Sequence, residues 1–183
     1  MPNCNAGLVS VLMSVYNGAP TLEKAAASVL AQTYRDLELI LCDDASTDDT
    51  WRIMQRIAAQ DARVTIFQNK TNLGLGASLN ECLARAQGAY IARQDADDVS
   101  DSDRIERTMD FLLSSGAPYA ACGVRVFDDT GVWSTRQFPQ KITKHIIAQK
   151  NPFFHPTMLF RRAVLESVNG YSTSPETRRT EDY

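Results

Sequence analysis

Four short apolar runs, each followed by a segment whose apolar residues recur at helical spacing, constrain this chain more than any other feature. Leu8 to Val15 is rich in β-branched residues and stops at Tyr16-Asn17-Gly18-Ala19-Pro20, a cluster that ends strands. After it, Leu22, Ala25, Ala26, Val29 and Leu30 line one face of a helix. Leu37 to Cys42 reads as a second strand, followed by a helix with Trp51, Met54, Ile57 and Ala58 buried and Ser46 and Asp49 as its capping pair. Val64 to Phe67 is a third strand, and Leu75, Leu79, Cys82, Leu83 and Ala86 are the stripe of a third helix, ended by Gly88. Ala89 to Gln94 runs as a fourth strand into the acidic residues Asp95, Asp97 and Asp98. Ser100 and Asp103 then cap a helix carrying Ile105, Met109 and Leu112. Strands and helices alternating in this way predict an α/β protein, a Rossmann-like α/β/α sandwich around a mostly parallel sheet with right-handed crossovers.

Beyond Pro118 the rhythm changes. Tyr119 to Phe127 and Val132 to Phe138 read as a hairpin around Asp128-Asp129-Thr130-Gly131. A helix near 142–149, a strand from Thr157 to Phe160 and a helix from Arg162 to Val168 complete the pattern, which we read as one domain over 1–183. Thr180-Glu181-Asp182-Tyr183 carries no signal that ends an element, so the chain is expected to continue past this point.

Composition narrows the partners. The sequence is 44% hydrophobic and 22% charged with a net charge of -3, enough apolar material for a core but no basic field for nucleic acid. Cys4, Cys42, Cys82 and Cys122 lie far apart without a Cys-x-x-Cys pair and read as reduced structural thiols, which fits a cytoplasmic protein. Met1-Pro2-Asn3-Cys4 is not the start of a signal peptide, and no apolar run reaches the roughly 20 residues of a membrane span.

In an open parallel sheet, ligands bind beyond the carboxyl ends of the strands where the strand order reverses. Strand one ends at Tyr16-Asn17, strand two at Asp43-Asp44 and strand four at Asp95-Ala96-Asp97-Asp98. Asp residues also cap helices, and Asp48 and Asp49 fit that role equally well. Three carboxylates in four residues exceed what one helix start can use and repel unless a cation compensates them. Hard oxygen ligands suit Mg²⁺ or Mn²⁺ shared with substrate phosphates. No Gly-x-x-x-x-Gly-Lys-Ser/Thr loop is present, and no Gly-x-Gly-x-x-Gly follows strand one, so the metal must carry most of the phosphate neutralisation.

These residues resemble the family 2 glycosyltransferases of the GT-A fold. The likeness runs through Val9 to Asn17, Ser28 to Thr33, Asp43 to Asp48, Asn72-Leu73-Gly74 and Tyr90 to Asp98, then His155-Pro156-Thr157, Gly170-Tyr171 and Glu181-Asp182-Tyr183. The resemblance implies a metal-dependent, inverting hexosyltransferase using a nucleotide-diphosphate sugar, usually a UDP-sugar, with 1–117 as the nucleotide-sugar half and 118–183 as the acceptor half. It places Ser14 and Tyr16 beside the nucleoside, and Asp43 or Asp44 on the base. Asp95-Ala96-Asp97 becomes the Asp-x-Asp motif, with Asp97 a metal ligand and Asp95 directed to ribose or metal. Asp98 is left to begin the next helix. Asp182 becomes the catalytic base, with Glu181 orienting it or taking its place. The implied acceptor is a glycan or lipid-linked oligosaccharide of the bacterial cell envelope, handled at the cytoplasmic face of the inner membrane. Ending directly after Asp182, the chain is expected to bind donor while transferring sugar poorly.

Two other functions share some features. A sugar-nucleotide pyrophosphorylase has the same architecture and metal but should carry a Gly-rich, basic loop after strand one. A receiver-like domain places its acidic pair after strand one, whereas here the clusters follow strands two and four. Among secondary residues, His155 is either a ligand contact or a packed histidine, and Arg93 reaches the donor only if strand four turns it toward the cleft. Lys70 is expected in solvent, and Trp133 and Phe138 in the core.

Overall fold

The computed structural model describes residues 5–137 and 153–174. The predicted alternation is present: β1 (Asn5–Val15), α1 (Leu22–Leu30), β2 (Leu37–Asp43), α2 (Thr50–Gln60), β3 (Val64–Gln68), α3 (Leu75–Arg85), β4 (Gly88–Arg93) and α4 (Arg104–Ser115). β5 (Tyr119–Ala121), β6 (Val124–Asp128), β7 (Gly131–Arg136), a short 3-10 turn at His155–Thr157, β8 (Met158–Arg161) and α5 (Arg162–Ser167) follow. The main sheet has the order β3-β2-β1-β4-β8-β5. The first four strands are parallel, while β8 runs antiparallel to both β4 and β5. From β1 the chain therefore winds outward through β2 and β3, then returns to place β4 on β1's other side. That reversal puts β1 between the two acidic strand ends.

Burial on both faces explains why the central strands are nearly all apolar. Val9, Val11, Met13 and Val15 of β1 pack with Leu37, Leu39 and Leu41 of β2 and with α1, α2 and α4 on one side. Leu12, Ile40, Cys42 and Ile91 face Leu79, Cys82 and Leu165 on the other. The α4 stripe is buried as expected and so is that of α1 except for half-buried Leu30, but of the α2 stripe only Met54 and Ile57 are fully covered, with Trp51 half-buried. α3 ends at Arg85 with Ala86 as its C-cap, and Gly88 instead opens β4, where a Cβ would lie 2.4 Å from the Leu8 carbonyl oxygen of the neighbouring strand.

Two expectations for the second half change. Tyr119 to Phe127 is not one strand: β5 stays in the main sheet beside β8, and the chain leaves it at Cys122-Gly123 to form the separate β6–β7 pair. Trp133 is 66% exposed rather than in the core, because among the described residues no second layer covers the β6–β7 ribbon. The helix expected near 142–149 and Phe138 lie outside the described residues.

Candidate functional site

The carboxyl edge of the sheet is built from backbone register first. Val15 lies opposite Asp43, the Asp44 amide donates to the Val15 carbonyl at 2.8 Å, and the Gln94 amide donates to the Leu12 carbonyl at 3.2 Å. Asp43 and Asp44 are 0% and 2% exposed, so each carboxylate needs donors in place of water. Asp43 accepts from the Ser46 amide at 2.9 Å and from Gln68 Nε2 at 2.7 Å. Asp44 Oδ1 accepts from Asn69 Nδ2 and the Leu73 amide, both at 2.8 Å, and Oδ2 accepts from the Gly74 amide at 2.8 Å. Gly74 has φ 84°, a left-handed bend at the head of α3 that glycine adopts without strain. Both acids thus hold the edge together, and Asp44 retains about one of its roughly four lone-pair positions.

The loop after β1 is fastened to the loop after β2. The Asn17 amide donates to Ser46 Oγ at 2.8 Å, Gly18 to Thr50 Oγ1 at 2.9 Å and Ala19 to Asp48 Oδ2 at 3.1 Å, while Asn17 Oδ1 accepts from the Thr47 amide at 2.9 Å. Ser46 and Asp49 do not form the expected capping pair, because the Ser46 hydroxyl serves Asn17 and the Asp49 carboxylate makes no capping bond. Asp48 takes the local role instead, accepting from the Thr50 amide at 3.0 Å. Ser100 and Asp103 likewise do not cap α4: the Ser100 hydroxyl bonds Gln94 and Asp103 makes no side-chain cap. Tyr16 stands 54% exposed at the rim, with Ser14 half-buried beneath it.

Across β1, carboxylate oxygens of Asp95, Asp97 and Asp98 lie within 4.8 Å of one another. Asp97 and Asp98 are exposed and Asp95 partly so, leaving an oxygen-only donor set open to a ligand, as Mg²⁺ or Mn²⁺ shared with phosphates requires. Gln94 closes the loop from below, its Nε2 donating to the carbonyls of Asp95 at 3.2 Å and Asp98 at 3.1 Å. Gln32, fully buried, braces the far side: its Nε2 donates to the Asp101 carbonyl at 2.7 Å and its Oε1 accepts from the Ile105 amide at 2.9 Å. Ser28 Oγ accepts from the Ser100 amide at 3.0 Å. Sequence reasoning gave Gln32 and Gln94 no role. Gln32's partners on the acidic loop and α4 lie 69 and 73 residues away, so no local pattern could reveal them.

Crowding leaves a titration signature. Loss of water around Asp98, reinforced by Asp95 and Asp97, pushes its carboxyl from an ordinary 3.8 up to about 6. A raised carboxyl is a cost to the folded state that is fully present above pH 6, shrinks as pH falls, and is gone below the unfolded value. Asp98→Asn, studied in chelator, is therefore expected to raise the melting temperature at pH 7.5 and to lose that gain near pH 4. Because Asp98 is an exposed residue, solvent screening reduces the effect to about 1 kcal/mol, roughly 2–4 °C. An equal gain at both pH values would show that the Asp98 carboxyl is not raised, either by lost water or by its neighbours.

The other residues that the sequence marked out do not all gather at this edge. His155 is 7% exposed, its ring 5.3 Å from that of Tyr171, and Lys70 is exposed as expected. Arg93 is buried and pairs with Asp95. Cys42, Cys82 and Cys122 are free thiols. Glu181 and Asp182, expected to supply the base, lie outside the described residues, as does Cys4. A cavity of about 520 Å³ lined by Asn80, Leu83, Arg162 and Glu166 lies between α3 and α5, away from the acidic edge. No helix among the described residues is long and apolar enough to cross a membrane.

The chain is similar to known proteins in sequence and in fold. "Putative glycosyltransferase EpsE" of Bacillus subtilis is 44% identical over 176 residues, covering 95% of this chain and 63% of its own length. The Escherichia coli UDP-Glc:alpha-D-GlcNAc-diphosphoundecaprenol beta-1,3-glucosyltransferase WfaP is 34% identical over 131 residues, covering 70% of this chain and 51% of its own length. The chain thus spans about half to two thirds of these relatives. Among solved structures, Staphylococcus aureus TarS 1-349 in complex with UDP superposes with TM-score 0.75 at 22% identity, over 95% of this chain and 52% of that one. Mannosyltransferase PcManGT from Pyrobaculum calidifontis, in complex with GDP-Man and Mn²⁺, gives TM-score 0.72 at 23% identity, over 91% and 48%. The fold is GT-A. The sequence profile described as Glycosyl transferase family 2 matches residues 10–168, and the chain belongs to that family.

Proposed function

We propose that this chain binds a nucleoside-diphosphate sugar, with a UDP-sugar as the first choice, and transfers the sugar to a hydroxyl acceptor with inversion. The observation that carries the reading is the set of Asp95, Asp97 and Asp98 oxygens within 4.8 Å, across β1 from the Asp43-Asp44 strand end. WfaP's name, with a UDP-glucose donor and a diphosphoundecaprenol acceptor, and the UDP complex of TarS support a UDP-sugar and a lipid-linked or polysaccharide acceptor. The PcManGT complex with Mn²⁺ supports a divalent metal, Mn²⁺ or Mg²⁺.

In this reading residues 1–117 hold the donor. Tyr16 and Ser14 border the nucleoside, and Asp44, with Asp43 behind it, meets the base through its remaining lone pair. Asp97 ligates the cation, Asp95 serves ribose or metal, and the chain at Ala96 runs alongside the diphosphate. A divalent cation bound there would supply positive charge to the departing diphosphate. Residues 118–183 serve the acceptor. Asp182, oriented or replaced by Glu181, takes the acceptor hydroxyl proton. The acceptor oxygen then bonds to the anomeric carbon as the bond to the diphosphate oxygen breaks on the opposite side, which inverts the centre. The setting that fits is cell-envelope glycan synthesis at the cytoplasmic face of the inner membrane, with peripheral attachment.

Calorimetry with UDP, GDP, dTDP and CDP, each with and without Mn²⁺, tests the reading. Metal-dependent binding of one diphosphate, UDP foremost, is the expected result. Preference for a nucleoside triphosphate would move the assignment to a pyrophosphorylase, and indifference to every nucleotide would remove the donor site altogether.

A further inference from the structure

Arg93 is a buried cation at the acidic edge, with a side chain 1% exposed. It follows Ile91 by two residues on β4 and so shares that residue's face of the sheet, toward α3 and α5. Its guanidinium reaches forward to the strand end, where Nη1 donates to the Gln94 carbonyl and Nη2 to Asp95 Oδ1. Its Nε has no hydrogen-bond partner among the described residues. Arg104 fastens the same strand end, its Nη1 donating to the Arg93 carbonyl at 3.0 Å and the Pro156 carbonyl at 2.6 Å.

Packing alone does not account for an arginine here. Taking a guanidinium out of water is costly, and an apolar residue of similar volume is often the more stable occupant of such a place. Asp95 does not need the pair for its own solvation, since its side chain is 33% exposed. What the pair does is fix a carboxylate. Oδ1 accepts from the guanidinium while Oδ2 takes no bond from it, so Oδ2 is the freer oxygen for a ligand, and the run of three negative charges is offset by one.

We propose that Arg93 is a positioning residue of the donor site: it acts through Asp95, presenting one oxygen in a fixed direction and limiting the charge that a diphosphate must approach. This rests on the donor-binding reading above. Losing Arg93 should have opposite consequences for the two ligands. The cluster becomes more negative, which favours a bare cation, but Asp95 turns freely and the site repels a diphosphate more strongly.

The test measures Mn²⁺ alone and UDP in saturating Mn²⁺ on the whole chain, with a thermal melt of every variant. For Arg93→Gln, Mn²⁺ affinity is expected to stay equal or rise by up to about threefold, while UDP affinity falls about tenfold. In an Asp95→Asn background the same Arg93→Gln change should shift UDP affinity by less than about twofold, because its target is already gone. Arg93→Lys guards against a Gln variant that does not fold. It keeps the charge without the fork and should fall between Gln and wild type in UDP affinity. A parallel loss of both ligands, an effect undiminished in the Asp95→Asn background, or a Lys variant indistinguishable from wild type would overturn the proposal. Wild-type protein that binds Mn²⁺ but no nucleotide would overturn the donor reading itself, a result separable from any behaviour of the Arg93 variants.

Discussion

Asp97→Asn is expected to abolish the Mn²⁺ dependence of UDP binding and to lower sugar transfer by about a thousandfold, while leaving the fold intact. The substitution keeps shape and removes one charge. Asp97 is exposed and its carboxylate accepts no hydrogen bond among the described residues, so surface replacement should alter stability by no more than about 0.5 kcal/mol. Its value to the site is electrostatic. A cation held by one or two protein carboxylates and completed by substrate oxygens depends strongly on each protein ligand, and removing one transition-state charge contact typically costs on the order of a hundredfold to a thousandfold. Parallel measurements on Asp98→Asn separate the neighbours. Asp98 lies in the same cluster but at its crowded edge, and its replacement should cost transfer far less than that of Asp97. If Asp98→Asn were the more damaging of the two, the ligand assignment within the run would have to be exchanged.

Legibility of the chain follows the range of its interactions. β1 to α4 were readable because each central strand is buried on both faces and each helix on one, so period and length carry the answer locally. The break at Cys122-Gly123 was not readable. Tyr119 to Phe127 looks continuous, and only pairing with β8, almost forty residues later, keeps β5 in the main sheet while β6 leaves it. Trp133 misled for a related reason, since alternation signals a strand but not whether anything covers it. At the site, the acidic residues stood out by crowding, whereas their supports did not. Gln32 acts through partners 69 and 73 residues away, which a linear pattern cannot supply. The side chains of Gln94 and Arg93 bond residues only a few positions on, and stayed hidden because strand alternation does not say where their polar groups turn.

Asp44 shows how far an internal role and a ligand role can coincide, and its replacement should produce the largest stability change at this edge. Asp44→Ala removes a carboxylate 2% exposed that accepts from Asn69, Leu73 and Gly74. Hydrogen bonds to a charged group contribute about 1.5–3 kcal/mol each when no water can replace them. Leu73 is 45% exposed, so water can recover part of the loss, and a total of about 3 kcal/mol is expected. For a chain of this size that corresponds to a melting temperature lower by roughly 6–12 °C. Hydrogen exchange gives the location: the Leu73 and Gly74 amides should lose protection before the core strands do. Asp44→Asn sharpens the point. Asn69 and Leu73 share one oxygen while Gly74 bonds the other, so an amide can satisfy only one of these two groups and must aim its NH₂ at the Gly74 N–H or at Leu73 and Asn69. Asn should therefore destabilise the 69–74 loop despite its matching shape. Unchanged exchange at Leu73 and Gly74 in both variants would mean that Asp44 does not hold this loop, and its burial would then have to be explained by the ligand alone.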